Sequence, residues 1–183
     1  GTRNRFSATS VDQLPHQLVA HLMYGHQLLL PIPDIEHIDP PFWFADGGDL
    51  SEEDYGRVCA QRLEDKILEL GPENVMCFIA EPVLGSGGVI VPPQHYNRRC
   101  WEVVKKYGIV YIADEVVTAF GRLGHWFASE QVFGVVPDII TFAKGLTSGY
   151  APLGGVLVSD RLAEPFLAAD RSFLHGITFG GHP

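Results

Sequence analysis

Apolar residues in this chain follow two spacings that alternate along the sequence. Short runs with almost no polar interruption are typical of strands that are buried on both faces of a parallel sheet. Between them lie longer stretches in which apolar residues recur every three or four positions, as on one side of a helix. The runs that predict strands cover residues 75–80, 109–113, 138–143 and 155–159. This alternation predicts an α/β fold with a mostly parallel sheet.

Three stretches have the pattern of helices that cover such a sheet. The first begins at Ser51 with a capping-box-like pattern and ends at Gly71, which is followed by a proline. Its predicted buried stripe consists of Tyr55, Cys59, Leu63, Ile67 and Leu70. The second covers residues 94–107, with an inner side formed by Tyr96, Cys100, Val103 and Tyr107. The third covers residues 160–169 and opens with Asp160 as its own cap.

Residues 1–50 show little sustained periodicity and contain several prolines. We predict an irregular N-terminal segment over 1–50 that packs on the core, followed by one domain over 51–183. An aromatic cluster is the expected anchor of the segment, and packing on the core is favoured over contact with a partner subunit. This cluster consists of Phe42, Trp43 and Phe44.

Composition and charge exclude several classes of partner. With 183 residues, 46% of them hydrophobic, the chain is long enough for one ordinary domain. Its net charge of −9, without a cluster of Lys or Arg, argues against nucleic acid and against an anionic membrane surface. Three cysteines without C-x-x-C spacing suggest neither a disulfide framework nor a metal site. We therefore expect reduced thiols and a cytoplasmic protein whose partners are small molecules.

The candidate chemistry lies at the ends of two predicted strands. Asp114 closes the run 109–113, and Lys144 closes the run 138–143. Ligands of open α/β sheets bind outside the carboxyl ends of the strands. If the two strands are neighbours, a carboxylate and an amine therefore face one crevice. The alternatives are a buried Asp that pairs with an arginine and a solvated surface lysine.

Four blocks of sequence resemble the cofactor domain of class III pyridoxal-phosphate aminotransferases, and the omega-amino-acid:pyruvate type is the most similar. The blocks are AEPVLGSGGVIVPP at 80–93, ADEVVTAFGRLG at 113–124, TFAKGLTSGYAPLGGVLVSD at 141–160 and HGITFGGHP at 175–183. The resemblance implies a three-layer sandwich with a mostly parallel sheet, part of the large domain of fold type I transferases. Residues 51–183 then correspond to part of that domain, and the chain to an internal piece of such an enzyme.

The resemblance also implies a role for individual residues. Asp114 would keep the ring nitrogen of pyridoxal 5'-phosphate protonated, and Val116 would pack on the ring face. Lys144 would hold the cofactor as an imine and then act as the base that moves the proton, in a dry site that lowers its pKa. Glu81 would shape the cofactor side of the site, and Thr178 would reach the cofactor phosphate of the other subunit in a homodimer.

Simpler alternatives exist for three of these residues, and one position departs from the family. Glu81 could only tie down a loop, Val116 could be an ordinary core valine, and Thr178 could be an ordinary loop residue. Val117 stands where many members carry a glutamine that contacts the cofactor's ring hydroxyl.

The implied activity is transfer of an amino group from an ω-amino acid or an amine to pyruvate or another keto acid. The alternative is a catalytically incomplete fragment or binding module that keeps the α/β core without turnover. The sequence contains neither a P-loop nor a complete G-x-G-x-x-G, which argues against nucleotide binding. It also lacks G-x-S-x-G, which argues against a serine hydrolase.

Overall fold

Four short strands form one open sheet in the order β1-β2-β3-β4. The computed structural model describes residues 34–167, 170–173 and 176. Its strands are β1 Cys77–Ala80, β2 Val110–Asp114, β3 Ile139–Phe142 and β4 Gly155–Val158. The first three are parallel, and β4 runs antiparallel to β3. The four apolar runs therefore form the four strands, each within two residues of the predicted bounds.

Five α-helices and two short 3-10 helices are present in the described part of the chain. The α-helices are α1 Trp43–Asp46, α2 Glu52–Leu70, α3 Tyr96–Lys106, α4 Ala128–Gln131 and α5 Asp160–Leu167. The 3-10 helices are Pro72–Asn74 and Lys144–Leu146. The three long helices were predicted from the apolar spacing. The single-turn helices α1 and α4 were not, because four residues are too few to show a helical period.

The ends of α2 follow the predicted pattern, whereas the cap of α5 does not. Ser51 Oγ accepts a hydrogen bond of 3.1 Å from the amide of Asp54, and Gly71 follows the helix with φ 81°. In α5, the carbonyl of Ser159 accepts the first intrahelical bond, 3.0 Å from the amide of Ala163. Ser159 is therefore the cap, and Asp160 is already inside the helix.

The core lies between helices α2 and α3 and one face of the sheet. Successive side chains of a strand point to opposite faces, so Tyr111 and Ala113 of β2 share the face that these helices cover. In α3 the buried valine is Val104, while Val103 is only half-buried, a shift of one position from the predicted stripe. The buried core consists of Tyr55, Cys59, Ala60, Leu63, Ile67, Tyr96, Cys100, Val104, Ile109, Tyr111, Ala113 and Val135.

The opposite face of the sheet is less well covered by the described residues. Ile112, at the centre of β2, is half-buried. In β4 three successive apolar side chains are exposed, so neither face of this strand is covered. They are Val156 at 58%, Leu157 at 47% and Val158 at 47% exposure. Continuous apolar strands are normally covered on both faces, so the described residues form only part of the layers that such a sheet requires.

Among the described residues before α2, Trp43 and Ile38 pack against the core. Trp43 packs against the core, and its Nε1 donates a hydrogen bond of 2.9 Å to the carbonyl of Leu50. Phe44 is 85% exposed, so only part of the aromatic cluster packs as expected. The division of the chain at residue 50 stays a prediction.

Asp138 joins three elements at the start of β3. Its carboxylate accepts hydrogen bonds from Lys105 Nζ at 2.8 and 3.0 Å, from Arg161 at 2.8 Å and from the amide of Tyr111 at 2.9 Å. Burial alone would raise the pKa of Asp138, but the hydrogen bonds from Arg161, Lys105 and Tyr111 outweigh burial and lower it. The ionised carboxylate therefore stabilises the junction of β2, α3 and α5.

Asp138→Asn is expected to lower the free energy of unfolding at pH 7 by about 1–3 kcal/mol, the usual range for a hydrogen-bonded charge. The folded-state pKa of Asp138 lies below the unfolded one, so its contribution is present above roughly pH 4 and is lost as the pH falls further. Denaturant unfolding at pH 7 and at pH 3 measures this difference. The exposed Asp49→Asn is the matched control. A gap between Asp138→Asn and wild type that is equally large at both pH values would contradict the role of the ionised carboxylate.

No helix in the described residues is long and apolar enough to cross a membrane. Within the same residues no group of histidines, cysteines and carboxylates has the arrangement of a metal site. The three cysteines are free. The cytoplasmic location stays a prediction.

Candidate active site

Three charged side chains meet at the carboxyl edge of the three parallel strands. Glu81 directly follows β1, Asp114 is the last residue of β2, and Lys144 comes two residues after β3. The charges of Asp114 and Lys144 both act on the carboxyl of Glu81. The sequence predicted this arrangement for Asp114 and Lys144, and the strand order explains it, since neighbouring parallel strands end at the same edge.

Asp114 is a buried carboxylate, with only 5% of its surface exposed. Burial raises its pKa above the ordinary value. A hydrogen bond of 3.0 Å from the amide of Val116, another from the hydroxyl of Thr141 and the charge of Lys144 act in the opposite direction and only partly offset burial. The charged form of Asp114 thus lacks a strong cationic partner in this structure. A ligand that brings positive charge to the carboxylate would supply one.

Glu81 is half-buried and both closes a loop and faces the site. Its Oε2 accepts a hydrogen bond of 2.9 Å from the amide of Gly85, which closes the turn after β1. Burial raises the pKa of Glu81, the amide of Gly85 lowers it, and Asp114 raises it further. A Cβ on Gly85 would lie 3.0 Å from Val117 Cγ2, so this turn packs closely against the residue after Val116. Glu81 can therefore tie down this loop and still shape the cofactor side of the site.

Lys144 has an unusual backbone and an exposed amine. Its φ is +28°, in the left-handed region that L-residues rarely adopt, and it opens the 3-10 helix Lys144–Leu146. Among the described residues its Nζ makes no ion pair or hydrogen bond. A depression of about 560 Å³ lies beside it, lined by Ala143, Lys144, Thr147, Gly149, Ala151, Pro152, Leu153 and Gly154. Lys144 is exposed among the described residues, and the dry site around its amine stays a prediction.

Aromatic rings pack against the residues on either side of Lys144 in the chain. Phe142, the last residue of β3, packs edge-on against Phe120 with ring centroids 5.6 Å apart, and Phe127 lies 5.8 Å from Phe142. A Cβ on Gly145 would lie 3.0 Å from the Cβ of Phe120. The residue after Lys144 is thus in close contact with the loop that follows β2.

Glu115 is a buried residue whose importance the sequence analysis missed. It is 0% exposed, and its carboxylate accepts hydrogen bonds from Thr118, Ala128 and Ser129. Alternation along an extended chain turns Glu115 to the opposite side from Asp114. The signal in the sequence was weak: a second carboxylate follows an apolar strand, and such a group needs hydrogen-bond donors only if it is buried there.

The remaining predicted site residues differ in what the structure shows. Val116 is half-buried next to Asp114, and its contact with a cofactor ring stays a prediction. Thr178 lies outside the described residues.

A second depression of about 560 Å³ lies along the loop that begins at Phe120. It is lined by Phe120, Gly121, Gly124, His125, Trp126, Phe127, Glu130 and Gln131. It contains none of the three charged residues, so we assign the chemistry to the strand edge.

The sequence profile of the family described as aminotransferase class-III matches residues 6–183. The chain belongs to the class-III aminotransferases. One relative within this family is a putrescine–pyruvate aminotransferase of Pseudomonas aeruginosa. It is 53% identical over 153 residues, which cover 84% of this chain and 33% of the relative. A mitochondrial gamma-aminobutyrate transaminase 1 of Oryza sativa subsp. indica is 44% identical over 190 aligned positions, 99% of this chain and 37% of the relative.

Solved structures of class-III relatives confirm the fold. An (S)-enantioselective omega-transaminase from Thermomicrobium roseum matches with a TM-score of 0.78 and 47% identity, over 84% of this chain and 34% of that one. An omega transaminase from Pseudomonas jessenii, solved in complex with PMP, matches with a TM-score of 0.76 and 38% identity, over 85% and 35%. The mostly parallel sheet is that of fold type I transaminases, as predicted. The chain spans about a third of the length of these relatives.

Proposed function

We propose that this chain is part of an enzyme that moves an amino group from an ω-amino acid or an amine to pyruvate or another keto acid, with pyridoxal phosphate as cofactor. One observation carries the proposal. The adjacent parallel strands β2 and β3 bring a buried carboxylate, Asp114, within electrostatic reach of Lys144, an exposed amine that has no ion pair with any described residue. Membership of the class-III aminotransferases supplies the reaction class.

The residues at this edge fit the cofactor chemically. When bound, pyridoxal phosphate supplies an electron sink for the bond that breaks at the amino-bearing carbon. Asp114 offers a buried carboxylate for the ring nitrogen, and Val116 offers an apolar side chain for the ring face. Gly149 and Gly154 beside Lys144 add no side chain to the depression, so they leave room next to the amine.

Asp114 would keep a proton on the ring nitrogen. An adjacent negative charge favours the protonated, cationic form of that nitrogen. In return, the cationic nitrogen would favour the ionised form of Asp114, whose pKa burial otherwise raises. The buried carboxylate and the ring nitrogen would therefore stabilise each other's charge.

Lys144 would hold the cofactor through its Nζ and then move the proton. When it is not linked to the cofactor, this Nζ would act as the base that takes a proton from the amino-bearing carbon of the substrate. A lysine can do this only if its amine is not committed to another charge. The exposed Nζ of Lys144, without an ion pair among the described residues, meets this requirement.

We extend the proposal to Glu81, Thr178 and the assembly. Glu81 would line the cofactor side of the site, which its electrostatic coupling to Asp114 and Lys144 supports. Thr178 would contact the cofactor phosphate of the other subunit in a homodimer, as the resemblance implies. The cytoplasm is the proposed location, in keeping with three free thiols.

The names of the relatives suggest the donors to test. One relative is a putrescine–pyruvate aminotransferase and another a gamma-aminobutyrate transaminase. Putrescine and γ-aminobutyrate both carry a primary amine at the end of an unbranched chain. We propose donors of this kind, with pyruvate as the acceptor.

The test uses an extended protein, in which this chain is joined to the flanking segments of the Pseudomonas aeruginosa relative. Alanine formation from pyruvate is measured with putrescine, with γ-aminobutyrate and without donor. The proposal predicts donor-dependent alanine formation that Lys144→Ala abolishes. A folded extended protein that forms alanine equally well with Lys144→Ala would contradict it.

A further inference from the structure

The carboxylate of Glu115 joins the two ends of the loop that follows β2. Its Oε2 accepts hydrogen bonds from Thr118 Oγ1 at 2.8 Å and from the amide of Ala128 at 2.7 Å. Its Oε1 accepts from the amide of Ser129 at 2.8 Å and from Ser129 Oγ at 2.5 Å. The first amides of a helix have no partner within the helix, and here Glu115 satisfies two of those of α4. A buried carboxylate with four donors therefore closes the loop 115–129.

The closed loop fixes the position of Phe120. Phe120 has φ +56°, and its amide donates to the carbonyl of Trp126 at 2.8 Å. The amide of Gly121 donates to the carbonyl of His125 at 2.9 Å. These bonds tie the middle of the loop to the stretch just before Ala128. The anchor at Glu115 and the conformation of Phe120 thus belong to one unit.

Phe120 in turn contacts the backbone that carries Lys144. A Cβ on Gly145 would lie only 3.0 Å from the Cβ of Phe120, a tight contact, and the ring of Phe120 packs on Phe142. Lys144 lies between these two contacts, with a left-handed backbone that is unfavourable for an L-residue. Such a conformation persists only when the surrounding structure enforces it. Phe120 supplies contacts on both sides of Lys144.

We propose that Glu115 is a positioning residue, which holds Lys144 in its reactive position through the closed loop and Phe120. The inference rests on the proposed function in one respect, namely that Lys144 is the residue that binds the cofactor. Glu115 itself touches neither cofactor nor substrate in this account. Its neighbour Asp114 faces the ligand, while Glu115 faces the loop, so the D-E pair divides binding and positioning between two adjacent carboxylates.

The first test measures amide hydrogen exchange in the 183-residue chain without cofactor. Glu115→Gln keeps the size of the side chain but turns an amide group toward hydrogen-bond donors. We expect exchange at least about tenfold faster at Ala128, Phe120 and Leu146, with no change at Leu63 in α2. Glu130→Gln, the same change at an exposed position of α4, should leave all four amides unchanged. Faster exchange at Ala128 with unchanged exchange at Leu146 would overturn the link to Lys144.

A second variant keeps the proposal testable if Glu115→Gln does not fold. Phe120→Leu leaves the Glu115 carboxylate in place and removes the ring that packs on Phe142. It should speed exchange at Leu146 while Ala128 stays protected. Unchanged exchange at Leu146 in this variant would contradict the proposal that Glu115 acts on Lys144 through Phe120.

The third measurement separates this inference from the proposed function. Wild type, Glu115→Gln and Glu130→Gln are titrated with pyridoxal phosphate, reduced with borohydride and assayed for the label on Lys144. We expect half-maximal labelling of Glu115→Gln to require about tenfold more cofactor than that of wild type or Glu130→Gln. Equal midpoints in wild type and Glu115→Gln would overturn the positioning role. A wild-type chain without label on Lys144 would instead count against the proposed function, and hydrogen exchange would still decide the inference.

Discussion

Asp114→Asn is expected to slow the half-reaction of the extended protein with an amino donor by roughly 10²–10³-fold. That is the range observed when one preorganised electrostatic partner of a transition state is removed. The asparagine nearly matches the aspartate in size, and it can still accept the hydrogen bond from Val116. It carries no charge, so it cannot hold a proton on the ring nitrogen. The rate is measured in single turnover with putrescine, where product release does not contribute.

The same substitution is expected to leave stability unchanged or slightly higher. Burial raises the folded-state pKa of Asp114, so its carboxylate destabilises the cofactor-free fold once the pH rises through that pKa. Asn removes this cost at neutral pH. Asp170→Asn, at an exposed position, serves as the control for both measurements. A slow half-reaction accompanied by a large loss of thermal stability would mean that Asp114 acts mainly in the fold, and an unchanged rate would exclude it from the ring nitrogen.

The 183-residue chain by itself is expected to show no transaminase turnover. Positioning supplies much of the rate enhancement of an enzyme, and a loosely bound cofactor forfeits it. Here Asp114 is buried, but Lys144 is exposed and the depression beside it is wide open to solvent. Pyruvate-dependent consumption of putrescine at saturating pyridoxal phosphate should equal the rate without protein.

The isolated chain is also expected to associate irregularly. Strand β4 exposes apolar side chains on both faces, and among the described strands it pairs only with β3. An exposed apolar edge strand favours contact with other chains. Light scattering after size-exclusion chromatography should show a broad, concentration-dependent mass. Clear turnover by a well-behaved monomer of 183 residues would contradict both expectations.

The sequence predicted the elements whose pattern is long or strongly apolar. Helix α2 has a cap at Ser51, a stripe of five or more apolar positions and a glycine at its end, so its bounds follow from local chemistry. Strand β2 is apolar up to Asp114, which is the pattern of a strand whose two faces are both buried or half-buried. Asp114 and Lys144 could be found because each interrupts such a run with a charge.

The loop after β2 could not be predicted in the same way. Helix α4 has four residues, and its conformation depends on the Glu115 carboxylate, which lies 13 and 14 residues from the amides that it binds. The left-handed backbone of Phe120 is held by the hydrogen bond from its amide to the carbonyl of Trp126, and its ring packs on Phe142 of β3. These are tertiary interactions, and no local spacing in the sequence encodes them. The same holds for Asp138, whose partners come from three separate elements.

Lys144 differs from the other lysines of the chain in the pairing of its amine. The chain has four lysines. Lys66 pairs with Glu69 at 2.9 Å, Lys106 with Glu64 at 2.6 Å and Lys105 with Asp138 at 2.8 Å. The hydrogen bond to Glu69 raises the pKa of Lys66, and that to Glu64 raises the pKa of Lys106, so both amines are poorer nucleophiles at neutral pH. Lys144 has no such pair among the described residues.

The most direct measurement is therefore the position of the covalent label. The 183-residue chain is incubated with pyridoxal phosphate at neutral pH, reduced with borohydride, digested and mapped by mass spectrometry. Our account predicts that the label lies on the peptide that contains Lys144 and that Lys144→Arg removes it. A label that is concentrated on Lys66, Lys105, Lys106 or the amine of Gly1, and that persists in Lys144→Arg, would contradict the account.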